Sequence, residues 1–478
     1  MIESVVPSKV ITYQQWQHVV AALISHNKTI VLLDSPESEG CHWSLIGWGR
    51  RQHVTVFDKT LQWESHTLEE PVFVKKNIDC SETVWGVLEQ ARQKCRIYWD
   101  DQPSLPFHGG LAGLLHYEAA DLCDGALTRA KTNDEPSPKL EFVECNNWAL
   151  WDHSTGEVFI SNHDPVFYDD AEQPEKHIRL PSLAQPWQAS LSQDAFEAHA
   201  NTLLHAIQQG ECYQANLSIQ WKSQLTGDLW PIYQALTEKN PSPFAGFWQT
   251  NNQTVVCNSP ERLVSIENRW EEQSSLPEQW ATTRPIAGTR GRGNTDLEDT
   301  AIGESLRSDA KEQAEHLMLV DLLRNDLGKI AIAGSVTVRE LMVLERYAHV
   351  THLVSDIEGQ LLPRRTPWQV LQAVFPGGTI TGCPKIRSVQ WLNRCEPLPR
   401  GPYTGSMGYV DALTGSMDWN IIIRSLYATQ AADANPTKGF PHWDVAFHAG
   451  AGIVADSIPA YEYRECLRKA HSIFSLWE

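Results

Sequence analysis

Two rhythms of apolar positions run along the 478-residue chain, and each predicts its own kind of element. In the first third, short apolar runs alternate with turns. TIVLLDS (Thr29–Ser35), NWALWDH (Asn147–His153) and STGEVFIS (Ser154–Ser161) read as strands. Between them, LPFHGGLAGLLHYE carries Gly109, Gly110 and Gly113, which suggests close backbone packing. A polar, proline-containing stretch follows from Pro165 to Pro186. It reads as a linker between an N-terminal subdomain (1–170) and a larger C-terminal domain (187–478), or equally as a long surface loop.

From Ser190 the spacing changes. In LSQDAFEAHANTLLHAIQQGE, Phe196, Leu203, Leu204 and Ile207 share one face, predicting an amphipathic helix closed by Gly210. Strands are expected through CYQANLSIQW and VVCNSPERLVSI, then a loop at RPIAGTRGRG. LRSDAKEQAEHLMLVDLLRNDLG reads as one long helix closed by Gly328. The glycine-rich FPGGTITGCPKIR, paired strands through SMGYVDALTGSMDWNIIIRSLYAT, the strand and turn FHAGAGIVADS, and a terminal helix from Pro459 complete the pattern. Strands and helices interleave without regular βαβ alternation, so a mixed α/β (α+β) fold is expected rather than a doubly wound sheet.

Composition narrows the function. A net charge of -20 argues against a nucleic-acid partner, which needs clustered Lys and Arg. An anionic substrate would therefore need locally supplied positive charge. No apolar run approaches membrane-spanning length, and the N-terminal MIESVVPSKVITYQQW lacks the basic and apolar regions of an export signal. Ten scattered cysteines without a C-x-x-C pair suit a reduced, cytoplasmic protein, and nineteen dispersed tryptophans read mainly as core bulk.

Several side chains are candidates for chemistry. Glu315 sits among apolar neighbours in AEHLMLVDL, while Glu462 and Glu465 share a face of the terminal helix with Lys469 one turn on. Carboxylates from separate helices, without a His/Cys cluster, suit a hard cation such as Mg²⁺. Solvated helix faces explain the same spacing. Glu261, in NSPERLV beside apolar strands, could hold a raised pKa and act as a general acid, or form a surface ion pair. RPIAGTRGRG, with Ala287, Gly288 and Thr289, and HAGAGIV, with Gly450 and Gly452, could offer N–H groups to an anion; the latter could equally be a tight turn.

The order of these segments is more specific than any one of them. SPER, PIAGT, AEH-x-x-x-VD-x-x-RND-x-G, HLVS, FPGG-x-x-TG-x-PK, GY, IR and GAGIV-x-DS-x-P run from Ser259 to Ser457. The series resembles the chorismate-utilising family of anthranilate, aminodeoxychorismate, isochorismate and salicylate synthases. That resemblance implies large antiparallel sheets flanked by helices, with an interlocked N-terminal subdomain. It implies Mg²⁺ on Glu315 and Glu465, with Glu462 beside them, holding the ring carboxylate of chorismate. Arg424 and Tyr403 match residues that grip the enolpyruvyl carboxylate, aided by Gly450, Gly452 and Lys469. Glu261 matches the acid that protonates the departing C4 hydroxyl, and His352, in HVTHLVS, a histidine near the ring.

Two forks remain within the family. Where the water-using members carry a lysine, this chain has Gln214, which cannot act as a base, so ammonia is the expected nucleophile. LPFHGGLAGLLHYE, NWALWDHSTGEV, GECYQANLS and TITGCPKIR resemble component I of aminodeoxychorismate synthase, which aminates C4 on the way to p-aminobenzoate and folate. Against this, many para-type enzymes carry a nucleophilic lysine where this chain has Ala287. Anthranilate synthesis is the alternative reaction, and a non-catalytic relative binding an aromatic metabolite is a further one. Ser35 in LLDS, with Pro243 and Phe244 in NPSPF, resembles a tryptophan pocket; core packing under a turn explains the residues equally well. No glutaminase apparatus is evident, so the resemblance implies that a separate glutamine amidotransferase subunit supplies ammonia.

Overall fold

A computed structural model describes all residues except 1, 5, 36–42, 59, 67–70, 79, 100–104, 128–136, 163–178, 271–276, 348–349 and 432–440. Its strands form two large antiparallel sheets, of twelve and thirteen strands, and a small parallel pair joins Ile2–Ser4 to Ile97–Trp99. Helices flank the sheets in a mixed α/β arrangement, the expected fold class.

The thirteen-stranded sheet passes from Gln214–Thr226 through His442–Ile453, Leu426–Gln430, Thr254–Ser259 and Phe244–Gln249 to Ile30–Asp34, Trp43–Trp48 and Asn147–Asp152. The twelve-stranded sheet passes from Ile286–Gly291 through Val350–Gln360, Glu278–Arg284, Arg262–Arg269, Met417–Asn420 and Ser406–Asp411 to Gly110–Leu115 and Leu140–Glu144. Each sheet thus takes strands from both sides of the expected linker. Residues 163–178 of that stretch lie outside the described residues, while Ser182–Leu183 pairs with the strand Gln214–Thr226.

Burial follows the apolar rhythm. Phe196, Ala200 and Leu203 of the helix Gln193–Gln208 pack with Ile473 of the terminal helix Pro459–Phe474 against Leu217 and Ile219. Gly210 follows that helix at φ +76°, the left-handed geometry of a glycine cap. Trp16, Trp248, Trp368 and Trp419 are fully buried as core bulk, although Trp270 is 64% exposed. The nine described cysteines are all free.

Several expected elements differ. The single long helix is two helices, Asp296–Ser308 and Ala310–Gly328, broken at Asp309. Asp309 is extended there and its carboxylate accepts the Lys311 and Glu312 amides, a cap that competes with helix continuation. Gly328 is the last helical residue, not a left-handed cap. RPIAGTRGRG is no loop: Ile286–Gly291 pairs with Val350–Gln360, and the extra residue expected of a turn is a bulge at Gly288. VVCNSPERLVSI is two strands, because Pro260 has no N–H for the ladder. Gly450 and Gly452 lie within the strand His442–Ile453 rather than in a tight turn.

Candidate active site at the crossings between the sheets

The break at Pro260 matters because the chain changes sheet there. Thr254–Ser259 belongs to one sheet and Arg262–Arg269 to the other, leaving Glu261 at the crossing. A second crossing runs beside it, from Met417–Asn420 to Leu426–Gln430, and carries Arg424. The two are stitched together. Ile421 N–H donates to the Glu261 carbonyl at 3.0 Å, and Ser259 Oγ donates to the Ile421 carbonyl at 2.5 Å. The turn before Ser406–Asp411 joins them, with Thr404 N–H on the Ile422 carbonyl at 2.8 Å and Ile422 N–H on that of Gly405 at 2.9 Å. Tyr403 belongs to this turn.

Arg424 has φ +51°, a left-handed backbone that costs a non-glycine residue roughly 1–3 kcal/mol and persists only where its surroundings enforce it. No carboxylate forms an ion pair with its guanidinium among the described residues. Burial lowers its pKa, and the nearby Glu261 carboxylate opposes that shift. The site therefore contains a part-buried positive charge with the Glu261 carboxyl nearby and no ion-pair contact among the described residues.

The Glu261 side chain is 5% exposed, and its Oε1 is buried without a hydrogen-bond partner, as is Thr379 Oγ1. Burial pushes this carboxyl up to about 7. Thr379, the Ile286 backbone, Arg424 and Lys469 draw it down by less. A carboxylic acid that keeps its proton near neutral pH can protonate a leaving group.

His352, in Val350–Gln360, lies opposite Thr289 in register, and the Thr289 hydroxyl is 2.8 Å from its Nδ1. Burial and the Arg424 charge lower the imidazole to about 4, against a contact with the Gly288 backbone, so it is neutral at pH 7. Gly288, at φ +78°, is the bulge that permits this pairing; a Cβ there would meet Leu306 at 2.9 Å and Glu312 at 3.0 Å. Ala287, part-buried beside it, presents no nucleophile.

On the facing strands, Gly452 lies opposite Asn216 and Gly450 opposite Ser218. A Cβ at Gly450 would come within 2.9 Å of the Tyr403 hydroxyl, and one at Gly452 within 2.8 Å of Gln214 Nε2. Both glycines let functional side chains lie against the strand. The Tyr403 ring stacks on His448 at 4.7 Å and 8°. Lys469 Nζ donates to the Gly450 carbonyl at 3.0 Å, linking the terminal helix to that strand.

The three candidate metal-binding carboxylates are placed unevenly. Glu315 has its pKa raised by burial, with Lys311 lowering it and Glu312 and Glu462 raising it further. Glu462, on the terminal helix, is thus close enough for its charge to be felt across the gap, while its Oε1 accepts from Ser457 Oγ at 2.8 Å. Glu465 pairs within its own helix with Arg468 and with Lys469 at 3.5 Å. Among the described residues, no three His, Cys, Asp or Glu side chains form a metal cage.

Sequence reasoning missed the scaffold behind this site. Arg400, 1% exposed, holds Glu396 through two contacts of 2.9 and 2.8 Å. It also donates to the carbonyls of Asn216 at 2.6 Å and Ile380 at 3.0 Å. Glu396 in turn accepts from the Ser218 hydroxyl at 2.8 Å. The only sequence signal was a charged pair four apart after a helix, which ordinarily marks surface.

Ser35, Pro243 and Phe244 meet on the wall of a cavity of about 850 Å³ that Arg262 and Asn420 also line. Ser35 Oγ donates to the Pro243 carbonyl at 2.6 Å, and Arg262 lies over the Phe244 ring at 5.0 Å while pairing with Asp418. The three residues therefore border open space.

Residues 28–475 match the family model described as chorismate binding enzyme. The chain belongs to the chorismate-binding enzyme family. It is 39% identical over 385 residues to the "Anthranilate synthase component I-like protein" of Synechocystis, covering 78% of this chain and 74% of the relative. It is 34% identical over 387 residues to "Aminodeoxychorismate synthase component 1" of Bacillus subtilis, covering 77% and 76%. The crystal structure of anthranilate synthase component I from Streptococcus pneumoniae TIGR4 superposes with a TM-score of 0.71 at 28% identity, over 91% of this chain and 93% of that one. As a chorismate-binding enzyme, the chain has its family's sheets and carries Glu261 and Arg424 at their crossings, but relatives of both reaction types resemble it.

Proposed function

We propose that this enzyme aminates chorismate with ammonia to give 4-amino-4-deoxychorismate and water. The observation that carries the reading is Glu261, a buried acid raised to about 7 that lies close enough to Arg424 for each to feel the other's charge. Chorismate is a dianion. Arg424 suits its enolpyruvyl carboxylate, because a planar guanidinium binds a carboxylate at two points, and Tyr403 would add its hydroxyl. Glu261 donates its proton to the C4 oxygen as the C4–O bond breaks, so the hydroxyl leaves as water. A C–N bond forms with ammonia, which then loses a proton. His352, neutral, hydrogen-bonds near the ring without adding charge. Gln214 stands where a water-activating base would be needed, and an amide cannot supply one.

Glu315, with Glu462 and Glu465 from the terminal helix, would hold a magnesium ion: oxygen donors from separate helices, with the Glu315 carboxyl raised by burial and by the charge of Glu462, suit a hard cation. Such an ion would neutralise the substrate's ring carboxylate. A separate glutamine amidotransferase subunit would supply the ammonia, and the 850 Å³ cavity is the candidate tryptophan site.

One residue favours a second reading. With Ala287 in place of a nucleophilic lysine, that position forms no covalent bond to C2, and ammonia addition at C2 with loss of the C4 hydroxyl as water, then of pyruvate, would give anthranilate. Incubation with chorismate, Mg²⁺ and ammonium, followed by mass analysis, distinguishes them. Aminodeoxychorismate is expected; anthranilate plus pyruvate would establish the second reading. Isochorismate would overturn the choice of ammonia, and absent turnover would reduce the site to binding.

A further inference from the structure

We propose that His448 is a positioning residue for the substrate's enolpyruvyl carboxylate, setting where the Tyr403 hydroxyl stands relative to Arg424. The inference rests on the reading that Tyr403 and Arg424 hold that carboxylate. Tyr403 combines an open hydroxyl with a fixed ring. Among the described residues its hydroxyl makes no hydrogen bond. Burial holds the phenol above its ordinary pKa range, so it stays a proton donor. The hydroxyl lies over Gly450, where a Cβ would come within 2.9 Å of it.

The turn that carries Tyr403 is tied through its backbone. Glu118 accepts the Arg400 and Gly401 amides at 2.9 and 3.0 Å, and the Thr404 hydroxyl donates to the Tyr403 carbonyl at 2.5 Å. Neither contact reaches the ring. Arg400 stands 5.6 Å from the ring centroid, whereas His448 lies flat against it, at 4.7 Å and 8°. The imidazole is the surface that limits the tilt of the phenol.

His448 is itself held on every polar atom. It is 5% exposed and lies opposite Gln220 across the strands. Gln220 Nε2 is 2.9 Å from His448 Nε2 and donates to the Tyr427 hydroxyl at 2.6 Å. An amide nitrogen only donates, so Nε2 of the imidazole accepts and its proton sits on Nδ1. That nitrogen is 3.5 Å from the Ser218 hydroxyl, which Glu396 anchors.

The same imidazole refers Tyr403 to the second grip. Tyr427 stacks on His448 at 6.2 Å and 27°, with its hydroxyl 3.2 Å from Nε2. Tyr427 belongs to Leu426–Gln430, the strand that begins just after Arg424. One ring therefore touches the phenol that offers the hydroxyl and the strand that carries the guanidinium. Two groups that share one carboxylate lose much of their effect when their separation is off by about 1 Å. Histidine meets both needs, a flat face for the phenol and an acceptor for Gln220. An aliphatic side chain supplies neither.

The test is a double-mutant cycle on chorismate affinity, measured by equilibrium titration with Mg²⁺ and without ammonium. Tyr403→Phe keeps the stacked ring and removes the hydroxyl; it should weaken chorismate about tenfold, the worth of one hydrogen bond to a charged group. His448→Ala should weaken it about fivefold when Tyr403 is intact and less than about twofold in the Tyr403→Phe background. His448→Gln, which keeps an acceptor for Gln220 but no ring, serves as the second variant should the first misfold, with the same expected pattern. Equal losses in both backgrounds, or no loss when Tyr403 is intact, overturn the positioning role. Tyr403→Phe binding chorismate as tightly as wild type overturns instead the contact on which the inference rests.

Discussion

At the scale of single residues, two ionisable groups carry the proposed chemistry, and the fold holds both under strain or desolvation. Glu261 is the more consequential. Its carboxyl is raised to about 7, so the proton it must donate is present below that pH and lost as pH rises through it. The expected kcat/KM therefore falls with one proton on the alkaline side of about pH 7; a profile flat from pH 6 to 8 would contradict the acid role. Arg424 separates binding from folding. Glycine adopts φ +51° without penalty, so Arg424→Gly should leave denaturant stability unchanged or higher while weakening chorismate binding about tenfold or more. Retained affinity would remove Arg424 from the substrate. Motif order singled these residues out in the sequence. Their environment was not legible there: nothing in NSPERLV reveals that Glu261 is 5% exposed, and taken alone it read more readily as a surface ion pair.

Elements were legible where one periodicity dominated. The helix Gln193–Gln208 and the terminal helix follow from apolar spacing, and the φ +76° of Gly210 matches its capping role. Misreadings occurred where a local signal competed with the pattern. Asp309, three residues before Glu312, is a helix-start signature inside what reads as a continuous helix, and the cap prevailed. Asp309→Ala should lower stability by about 0.5–2 kcal/mol in urea denaturation. A change smaller than measurement error would mean the two helices are held apart by tertiary packing alone. The glycines of PIAGT and HAGAGIV read as loop formers, yet both segments are strands. In each, glycine lets neighbouring side chains approach the backbone, as Tyr403 and Gln214 do, a need that only the paired strand reveals.

At the scale of the molecule, the sequence showed a mixed fold but not that two sheets share the chain, since strand partners separated by more than a hundred residues leave no local trace. The sheets exchange chain at Pro260–Glu261 and at Ile421–Arg424, and acid and cation meet because the crossings are bonded to each other. Arg400 and Glu396 brace that arrangement from behind. Arg400→Met strands a buried carboxylate and should cost about 3–5 kcal/mol by chemical denaturation; a loss below about 1 kcal/mol would show the brace to be dispensable. The most direct test of the whole account is Glu261→Gln, which preserves shape and removes the proton donor, with turnover and equilibrium chorismate binding measured on the same sample. The account predicts a fall in kcat of about a hundredfold or more with chorismate still bound at near wild-type affinity. Turnover within a few-fold of wild type would contradict it.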